Sequence, residues 1–175
     1  MRIITIIKEK CSRTLKGRSC VDGRPQWAYI SKEAAASPPT ALESLLITLL
    51  IAAWEGRDVA TADVVGAYLN TYMEDFVIVK LVGDEVDIIS SLNPTYKDFV
   101  ITENGKKVLY LQLIKALYGC IKSALLWYEC FTKCLFDMGF KLNNHDQFVA
   151  NKTIEGTQCT IVWYVDDNKI SHVNS

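Results

Sequence analysis

The sequence has few of the residues that build zinc sites or disulfide frameworks. Only two histidines are present, His145 and His172, neither lies next to a cysteine, and none of the six cysteines forms a C-x-x-C pair. Cys130 and Cys134 are one helical turn apart, but this spacing is more typical of small buried residues on a helix face than of half a metal site. The sequence therefore predicts neither a zinc site nor a disulfide framework.

Long hydrophobic runs are also absent. The apolar run 3–7 is too short for a signal-peptide core, and the longest apolar stretch, 45–54, is too short to cross a bilayer. We therefore expect a cytoplasmic chain with no secretion signal and no membrane partner. At 175 residues, half of them hydrophobic, the chain has an ordinary globular composition without repeats.

Net charge is close to zero, but it is unevenly distributed. Residues 1–33 contain eight Lys and Arg against three acids, and residues 34–175 contain eleven against seventeen. A basic segment suits a surface that meets phosphates, and an acidic one suits a surface that holds metal ions. A basic, solvated terminal hairpin explains the same charge equally well.

The pattern of apolar and turn residues alternates between strands and helices, which predicts an α+β fold. A helix is expected from the capping-box sequence Thr40-Ala41-Leu42-Glu43 to about residue 55, with so many apolar residues that it should pack in a core. Two more helices are expected over 85–92 and 123–138. Strands are expected over 2–8, 57–64, 76–82, 99–102, 107–113, 148–153, 158–164 and 168–172. Asn104-Gly105 is a type I′ hairpin signal, Glu155-Gly156 joins two of the strands, and Gly56 and Gly139 mark helix ends. Asp166-Asp167 would occupy the tip of the last hairpin.

Two acidic motifs lie at the ends of predicted strands. Tyr164-Val165-Asp166-Asp167 stands between two apolar β-rich runs, and Asp63 ends a strand about a hundred residues upstream. Three carboxylates that converge from two strands are able to hold two Mg²⁺ ions, the apparatus of in-line phosphoryl transfer. A pair of acids in a turn is the alternative explanation of the second motif.

The motifs together resemble the reverse transcriptase of copia-type LTR retrotransposons. They are, in order, Lys16-Gly17-Arg18, the break Ser37-Pro38, Asp63-Val-Val-Gly-Ala-Tyr68-Leu-Asn70, Lys115-Ala-Leu-Tyr118-Gly119-Cys-Ile-Lys-Ser123, Trp127-Tyr128 and Tyr164-Val-Asp166-Asp167. The resemblance covers the chain from about residue 12 to its end. It implies a right-hand polymerase with a fingers-like basic region over 1–56 and a palm over 57–175, truncated before the thumb. The palm would be an antiparallel sheet with packed helices.

The resemblance also implies roles for individual residues. Asp63, Asp166 and Asp167 would be the catalytic, metal-binding carboxylates, and the carbonyl of Val64 would be a further ligand. Two Mg²⁺ ions, with Mn²⁺ as a substitute, would be the cofactors, in keeping with the preference of Mg²⁺ for oxygen ligands.

Substrate-binding residues follow from the same resemblance. Lys16 and Arg18 would grip the incoming triphosphate, with Arg13 as an alternative. Tyr68 would select the sugar or be a core aromatic. Tyr118 and Gly119 would lie near the nascent base pair or form a turn before a helix. Trp127 and Tyr128 are expected to be core aromatics, while Lys115 and Lys122 would contact nucleic acid or water.

The expected activity is RNA-directed DNA polymerisation, in which dNTPs are added to a primer 3′-hydroxyl on an RNA or DNA template. The partners would be the template–primer, dNTPs and other parts of a polyprotein. The expected location is the cytoplasm, in virus-like particles, and the element's DNA would have access to the nucleus. Departures from the family pattern weaken the expected template contacts; they are Thr71, Ile121, Ala124, Leu125 and Asn168. The chain ends eight residues after Asp167, so we expect a fragment without activity on its own.

Two other interpretations are weighed, of which the second ranks last. The first is an inactive retroelement remnant that keeps weak nucleic-acid binding. The second, another two-metal palm enzyme such as a nucleotide cyclase, would need a Gly-Gly-acidic hairpin, which the sequence lacks.

Overall fold

Antiparallel strand pairing organises the residues that the computed structural model describes, which are 1–31 and 40–173. The strands are β1 (Ile3–Glu9), β2 (Leu15–Val21), β3 (Asp58–Asp63), β4 (Ile78–Val82), β5 (Ile101–Glu103), β6 (Lys106–Gln112), β7 (Lys141–Leu142), β8 (Val149–Ile154), β9 (Thr157–Tyr164) and β10 (Asp167–His172). The helices are α1 (Leu42–Trp54), α2 (Asp84–Leu92) and α3 (Ser123–Asp137), with short 3₁₀ turns at Arg24–Ala28, Ala67–Asn70 and Pro94–Phe99. The α+β prediction is confirmed. The predicted break Ser37-Pro38 lies outside the described residues.

The described residues form two compact units that do not follow chain order. The first contains residues 1–31 and 72–123, and the second contains residues 40–71 and 124–173. The expected boundary after residue 56 therefore falls inside the second unit. Of the described residues, none belongs to a helix that is both long and apolar enough to cross a membrane.

The first unit contains a hairpin and a three-stranded sheet. β1 pairs antiparallel with β2, and the sheet order is β4-β6-β5. The connection between β5 and β6 is the predicted Asn104-Gly105 turn, in which both residues have positive φ, 49° and 74°. Asn and Gly tolerate this backbone region, so the turn sequence determines the hairpin. Two small clusters form the core; their buried residues are Val21, Val79 and Cys120, and Leu81, Val86 and Leu109.

The second unit is a five-stranded antiparallel sheet in the order β3-β10-β9-β8-β7, with α1 and α3. Its core is aromatic: Phe131 and Phe148 lie with their ring centroids 5.3 and 5.6 Å from that of Trp163. Trp127 is 6% exposed, and its ring centroid lies 5.3 Å from that of Phe131. Tyr128 is partly buried and packs against the cluster that contains Phe148 and Trp163. The prediction that Trp127 and Tyr128 are core aromatics is confirmed.

Helix α1 differs from its sequence-based prediction in two ways. Thr40 does not cap it, since its hydroxyl donates instead to the carbonyl of Trp163, and the N-cap residue is Ala41. The backbone N–H of Ala41 donates to Asp146 Oδ2 at 3.0 Å, so a distant aspartate takes part of the capping role.

The expectation that α1 is enclosed in a core is also wrong. Its buried residues are Thr48 and Ala52, and its exposed large apolar residues are Leu42, Leu46, Ile47, Leu49, Leu50, Ile51 and Trp54. A helix with apolar residues on most faces has no single inward stripe, so its composition alone does not reveal which side packs.

The loop that contains Gly119 is packed against the end of β2. The carbonyl of Tyr118 accepts a hydrogen bond from Val21 N–H at 2.7 Å, and Gln26 Oε1 accepts one from Ile121 N–H at 2.9 Å. Gly119 has φ +91°, and a Cβ placed there would lie 1.9 Å from the carbonyl oxygen of Val21. Glycine at this position is therefore required by packing, whatever further role the loop has.

Replacement of Gly119 by Ala is expected to lower the free energy of unfolding by about 2–4 kcal/mol, from backbone strain and overpacking together. Gly17→Ala is the matched control, because a Cβ at Gly17 meets nothing within 4 Å. Urea denaturation measures both. Equal losses in the two variants would contradict the packing described for the loop.

The cysteines provide a chemical check on both units. Cys120 and Cys159 are buried, whereas Cys11 and Cys134 are exposed. Burial raises the pKa of the Cys120 and Cys159 thiols above the ordinary value, which reduces the reactive thiolate at any given pH.

With iodoacetamide at pH 8, we expect Cys11 and Cys134 to be alkylated first and the buried pair only after unfolding. Mass spectrometry of the digested protein reads the order; early labelling of Cys120 or Cys159 would refute it.

Candidate active site

Two carboxylates face each other across neighbouring strands of the second unit. β10 pairs with β3 in a register that sets Asp167 opposite Asp63. Residues directly opposite in an antiparallel pair project on the same face of the sheet. The next contact along the ladder, from Val64 N–H to the carbonyl of Asp166 at 2.9 Å, extends the pairing into the turn. The strand ends therefore bring together residues that lie about a hundred positions apart in sequence.

The third carboxylate lies in the turn between β9 and β10. Tyr164 pairs with Asp167, so Val165 and Asp166 form a two-residue connection. Val165 has φ 55°, an uncommon and costly conformation for a β-branched residue. Such strain at a hairpin next to acidic residues is a feature that the sequence did not predict.

Both carbonyls of this turn accept hydrogen bonds. The indole Nε1–H of Trp127 donates to the carbonyl of Val165 at 2.7 Å. The carbonyl of Asp166 accepts from Val64 N–H and also from Asn168 Nδ2 at 3.0 Å. The turn is thus fixed by groups from α3, β3 and β10.

Among the described residues, no cation forms an ion pair with any of the three carboxylates. Asp63 and Asp167 are exposed and Asp166 is half-buried. A cleft of about 770 Å³ adjoins them, with Asp63, Asp167, Leu42, Leu45 and Tyr164 among its lining residues. The acids are therefore available to a ligand of opposite charge.

The three carboxylates do not lie close enough together to form a preformed metal site. Across the described ranges, no three His, Cys, Asp or Glu side chains form a group that could hold a metal ion. Neighbouring carboxylates repel each other, and a bound cation removes that repulsion. Their oxygen chemistry, and the absence of an ion-pair partner within residues 1–31 and 40–173, nevertheless fit a hard divalent cation.

Two cationic side chains of the second unit are withdrawn from solvent, those of Lys169 on β10 and of Arg57 just before β3, a feature that sequence reasoning missed. Lys169 is 8% exposed and donates to the carbonyl of Thr48 at 2.9 Å. Its pKa is lowered, first by burial and then by the charge of Arg57. Arg57 is ion-paired with Glu55 at 2.6 Å and donates to Thr160 Oγ1 at 3.1 Å. No sequence signal marked these residues, since lysine and arginine are normally exposed.

Tyr68 lies shortly after β3 in the same unit. Gly66 has φ 63° and precedes the 3₁₀ turn Ala67–Asn70 that contains it. The amide of Asn70 donates to the carbonyls of Val65 and Gly66 at 3.4 and 3.3 Å, and the tyrosine is half-buried. The motif is a compact turn in which Tyr68 is partly accessible.

Lys16 and Arg18 lie on the β1–β2 hairpin of the first unit. Lys16 pairs with Lys8, and Arg18 pairs with Ile6. Both are exposed, and within the described part of the chain neither has an acidic partner. They line a cleft of about 470 Å³ together with Lys8 and Lys10. The hairpin therefore presents four cations around one cleft, which Glu9 also lines.

The two lysines with open roles both have protein partners in the first unit. Lys122 forms a 3.0 Å ion pair with Asp75. The ammonium of Lys115 lies 3.6 Å from the ring centroid of Tyr72, a cation–π contact. Neither lysine is simply a solvated surface charge.

Replacement of Asp63 or Asp167 by Asn is expected to stabilise the metal-free protein by about 0.5 kcal/mol, because like charges directly opposite on paired strands are destabilising. The exposed Asp98 of the first unit, replaced by Asn, is the control and should change little. Thermal unfolding in metal-free buffer measures all three variants. Destabilisation by Asp63→Asn and Asp167→Asn would show that the two acids do not repel each other.

Comparison with protein families found one match that spans nearly the whole chain. The model of the family described as reverse transcriptase (RNA-dependent DNA polymerase) matches residues 5–175. Searches of curated proteins and of solved structures found no match. The match includes both acidic strand ends, the turn after β3, the loop before α3 and the basic hairpin. The chain belongs to the reverse transcriptase (RNA-dependent DNA polymerase) family.

Proposed function

We propose that the chain is the fingers-and-palm part of the RNA-directed DNA polymerase of a copia-type retrotransposon. It adds deoxynucleotides to a primer 3′-hydroxyl on an RNA or DNA template. The observation that carries this proposal is the β3–β10 register, which sets Asp63 opposite Asp167 with Asp166 in the adjoining turn. Family membership supports a nucleotidyltransferase, and the register supports the specific acids.

The three aspartates and the carbonyl of Val64 would hold two Mg²⁺ ions, with Mn²⁺ able to replace them. When bound, such ions activate the attacking hydroxyl and stabilise the leaving pyrophosphate. The chain's own contribution is to place the three carboxylates at the strand ends, where none has an ion-pair partner among the described residues. The strand pairing keeps Asp63 and Asp167 side by side before any metal arrives.

The remaining substrate contacts are proposed from the resemblance and are compatible with the local geometry. Lys16 and Arg18 would bind the triphosphate of the incoming nucleotide, because both are exposed and neither forms an ion pair with a described residue. Tyr68 would exclude a ribose 2′-hydroxyl by steric contact. Tyr118 and Gly119 would lie near the nascent base pair, on a loop whose backbone is fixed by its contact with β2.

The partners follow from this activity. The protein would bind an RNA or DNA template–primer and dNTPs, as part of a longer polyprotein in cytoplasmic virus-like particles. Fingers would correspond to 1–56 and palm to 57–175.

A second candidate is a reverse-transcriptase remnant that no longer performs catalysis. It is favoured by one observation, that no three acidic, histidine or cysteine side chains of the described residues form a metal-binding group. The two candidates differ in whether divalent ions bind to Asp63, Asp166 and Asp167.

Primer extension on poly(rA)–oligo(dT) with Mg²⁺ or Mn²⁺ tests the proposal. Five proteins are compared: this chain, its double variant Asp166→Asn/Asp167→Asn, a chain continued through the downstream reading frame, and that continued chain with either the same double substitution or Asp98→Asn. We expect incorporation by the continued chain, and its loss to background when the same two substitutions are made there. Asp98→Asn is the control acid and should retain full incorporation.

Two results would contradict the proposal. The first is incorporation that survives loss of both acids, which would place the chemistry elsewhere. The second is no incorporation by any of the proteins although circular dichroism shows them folded. With no Mn²⁺ binding by calorimetry, the second result would establish the inactive remnant.

A further inference from the structure

We propose that Trp127 is a positioning residue for the acidic hairpin, holding the Val165 carbonyl and through it Asp166 and Asp167 in the arrangement that receives divalent ions. This inference rests on the proposed function for the role of the acids. The contact between the indole and the turn is independent of that function and is tested separately.

The hydrogen bond is short and shielded from water. Nε1–H of Trp127 donates to the carbonyl of Val165 at 2.7 Å, and Trp127 is 6% exposed. A hydrogen bond in such an environment is stronger than one in water. Helix α3 is thereby tied to a turn 38 positions later in sequence.

The accepting group is the one that controls the direction of the turn. The carbonyl of Val165 and the N–H of Asp166 belong to one planar peptide unit. Fixing that oxygen therefore fixes the peptide plane from which Asp166 starts. Val165 has φ 55°, and a strained conformation persists only where surrounding contacts impose it. The indole supplies such a contact.

The rest of the turn is held from other directions. The carbonyl of Asp166 accepts from Val64 N–H and from Asn168 Nδ2, at 2.9 and 3.0 Å. Val64 directly follows β3, and Asn168 belongs to β10. Loss of the indole would leave Asp166 held on one side only, with its peptide plane free to turn.

A second buried tryptophan shows that this bond is not a general result of burial. Trp163 belongs to the same aromatic cluster and is 1% exposed. Its Nε1 has no hydrogen-bond partner among the described residues. The indole of Trp127 therefore donates a hydrogen bond to the hairpin, whereas that of Trp163 contributes packing contacts alone. Trp163→Phe is therefore a matched control for Trp127→Phe.

The first measurement is amide hydrogen exchange of the whole chain in metal-free buffer, monitored by NMR. Trp127→Phe is expected to accelerate exchange at Asp166 and Asp167 relative to the strands β8 and β9, while Trp163→Phe should not do so selectively. If Trp127→Phe fails to fold, 3-benzothienylalanine at position 127 keeps the ring volume and removes only the N–H. The proposal would be overturned if neither replacement at position 127 selectively accelerated amide exchange at Asp166 and Asp167.

The second measurement is Mn²⁺ affinity by electron paramagnetic resonance. Outer groups that orient metal ligands typically change affinity 10- to 100-fold when removed, so Trp127→Phe is expected to weaken binding about 10-fold. Trp163→Phe should leave binding within about twofold, which is below that range. Equal weakening by both variants would reduce Trp127 to a packing residue and overturn the proposal.

The two measurements separate this inference from the proposed function. If the unmodified chain binds no Mn²⁺ but Trp127→Phe still releases the turn, the proposed function fails, and with it the role of the turn in metal binding, while the indole contact stands. If Mn²⁺ binds through the aspartates and Trp127→Phe changes neither readout, the proposed function stands and the positioning role is wrong.

Discussion

The register between β3 and β10 is the constraint on which the candidate active site depends. Side chains alternate between the faces of a sheet, so a slip of one residue would send Asp167 to the face opposite Asp63. The register is fixed from both ends of β10, by the two-residue turn that joins it to β9 and by the ladder that sets His172 opposite Asp58. The position of the acids is therefore a property of the whole sheet.

The acids have no ion-pair partner among the described residues, although Lys169 lies on the same sheet and Arg57 directly precedes it. Lys169 is two residues from Asp167 on β10, yet its ammonium is directed to the carbonyl of Thr48 in α1. Arg57 precedes β3 and is paired with Glu55. Burying these cations is costly, and both are held by groups of their own. The negative potential at the strand ends is consequently left for a ligand to balance.

Much of the fold followed from local chemistry. Asn104-Gly105 and Glu155-Gly156 connect the predicted hairpins, and all four residues have positive φ. Helix ends were also readable, since Gly56 and Gly139 follow α1 and α3 with φ of 63° and 85°. The position of Asp63 at the end of a strand was predicted as well. The Asp pair was expected at the tip of a hairpin, whereas the structure has Asp166 in the turn and Asp167 at the start of β10. These features depend on residues that are neighbours in sequence.

The features that could not be predicted depend on contacts between distant residues. The sequence Thr40-Ala41-Leu42-Glu43 has the form of a capping box, but the Thr40 hydroxyl is used by the carbonyl of Trp163. Trp127 was correctly assigned to a core on its helical position, yet nothing in the sequence reveals that its N–H meets the turn at Val165. A buried tryptophan usually finds a partner for that N–H. The packing of α3 on the sheet determines which carbonyl the N–H meets. Through that hydrogen bond, a core residue acts on the position of the acids.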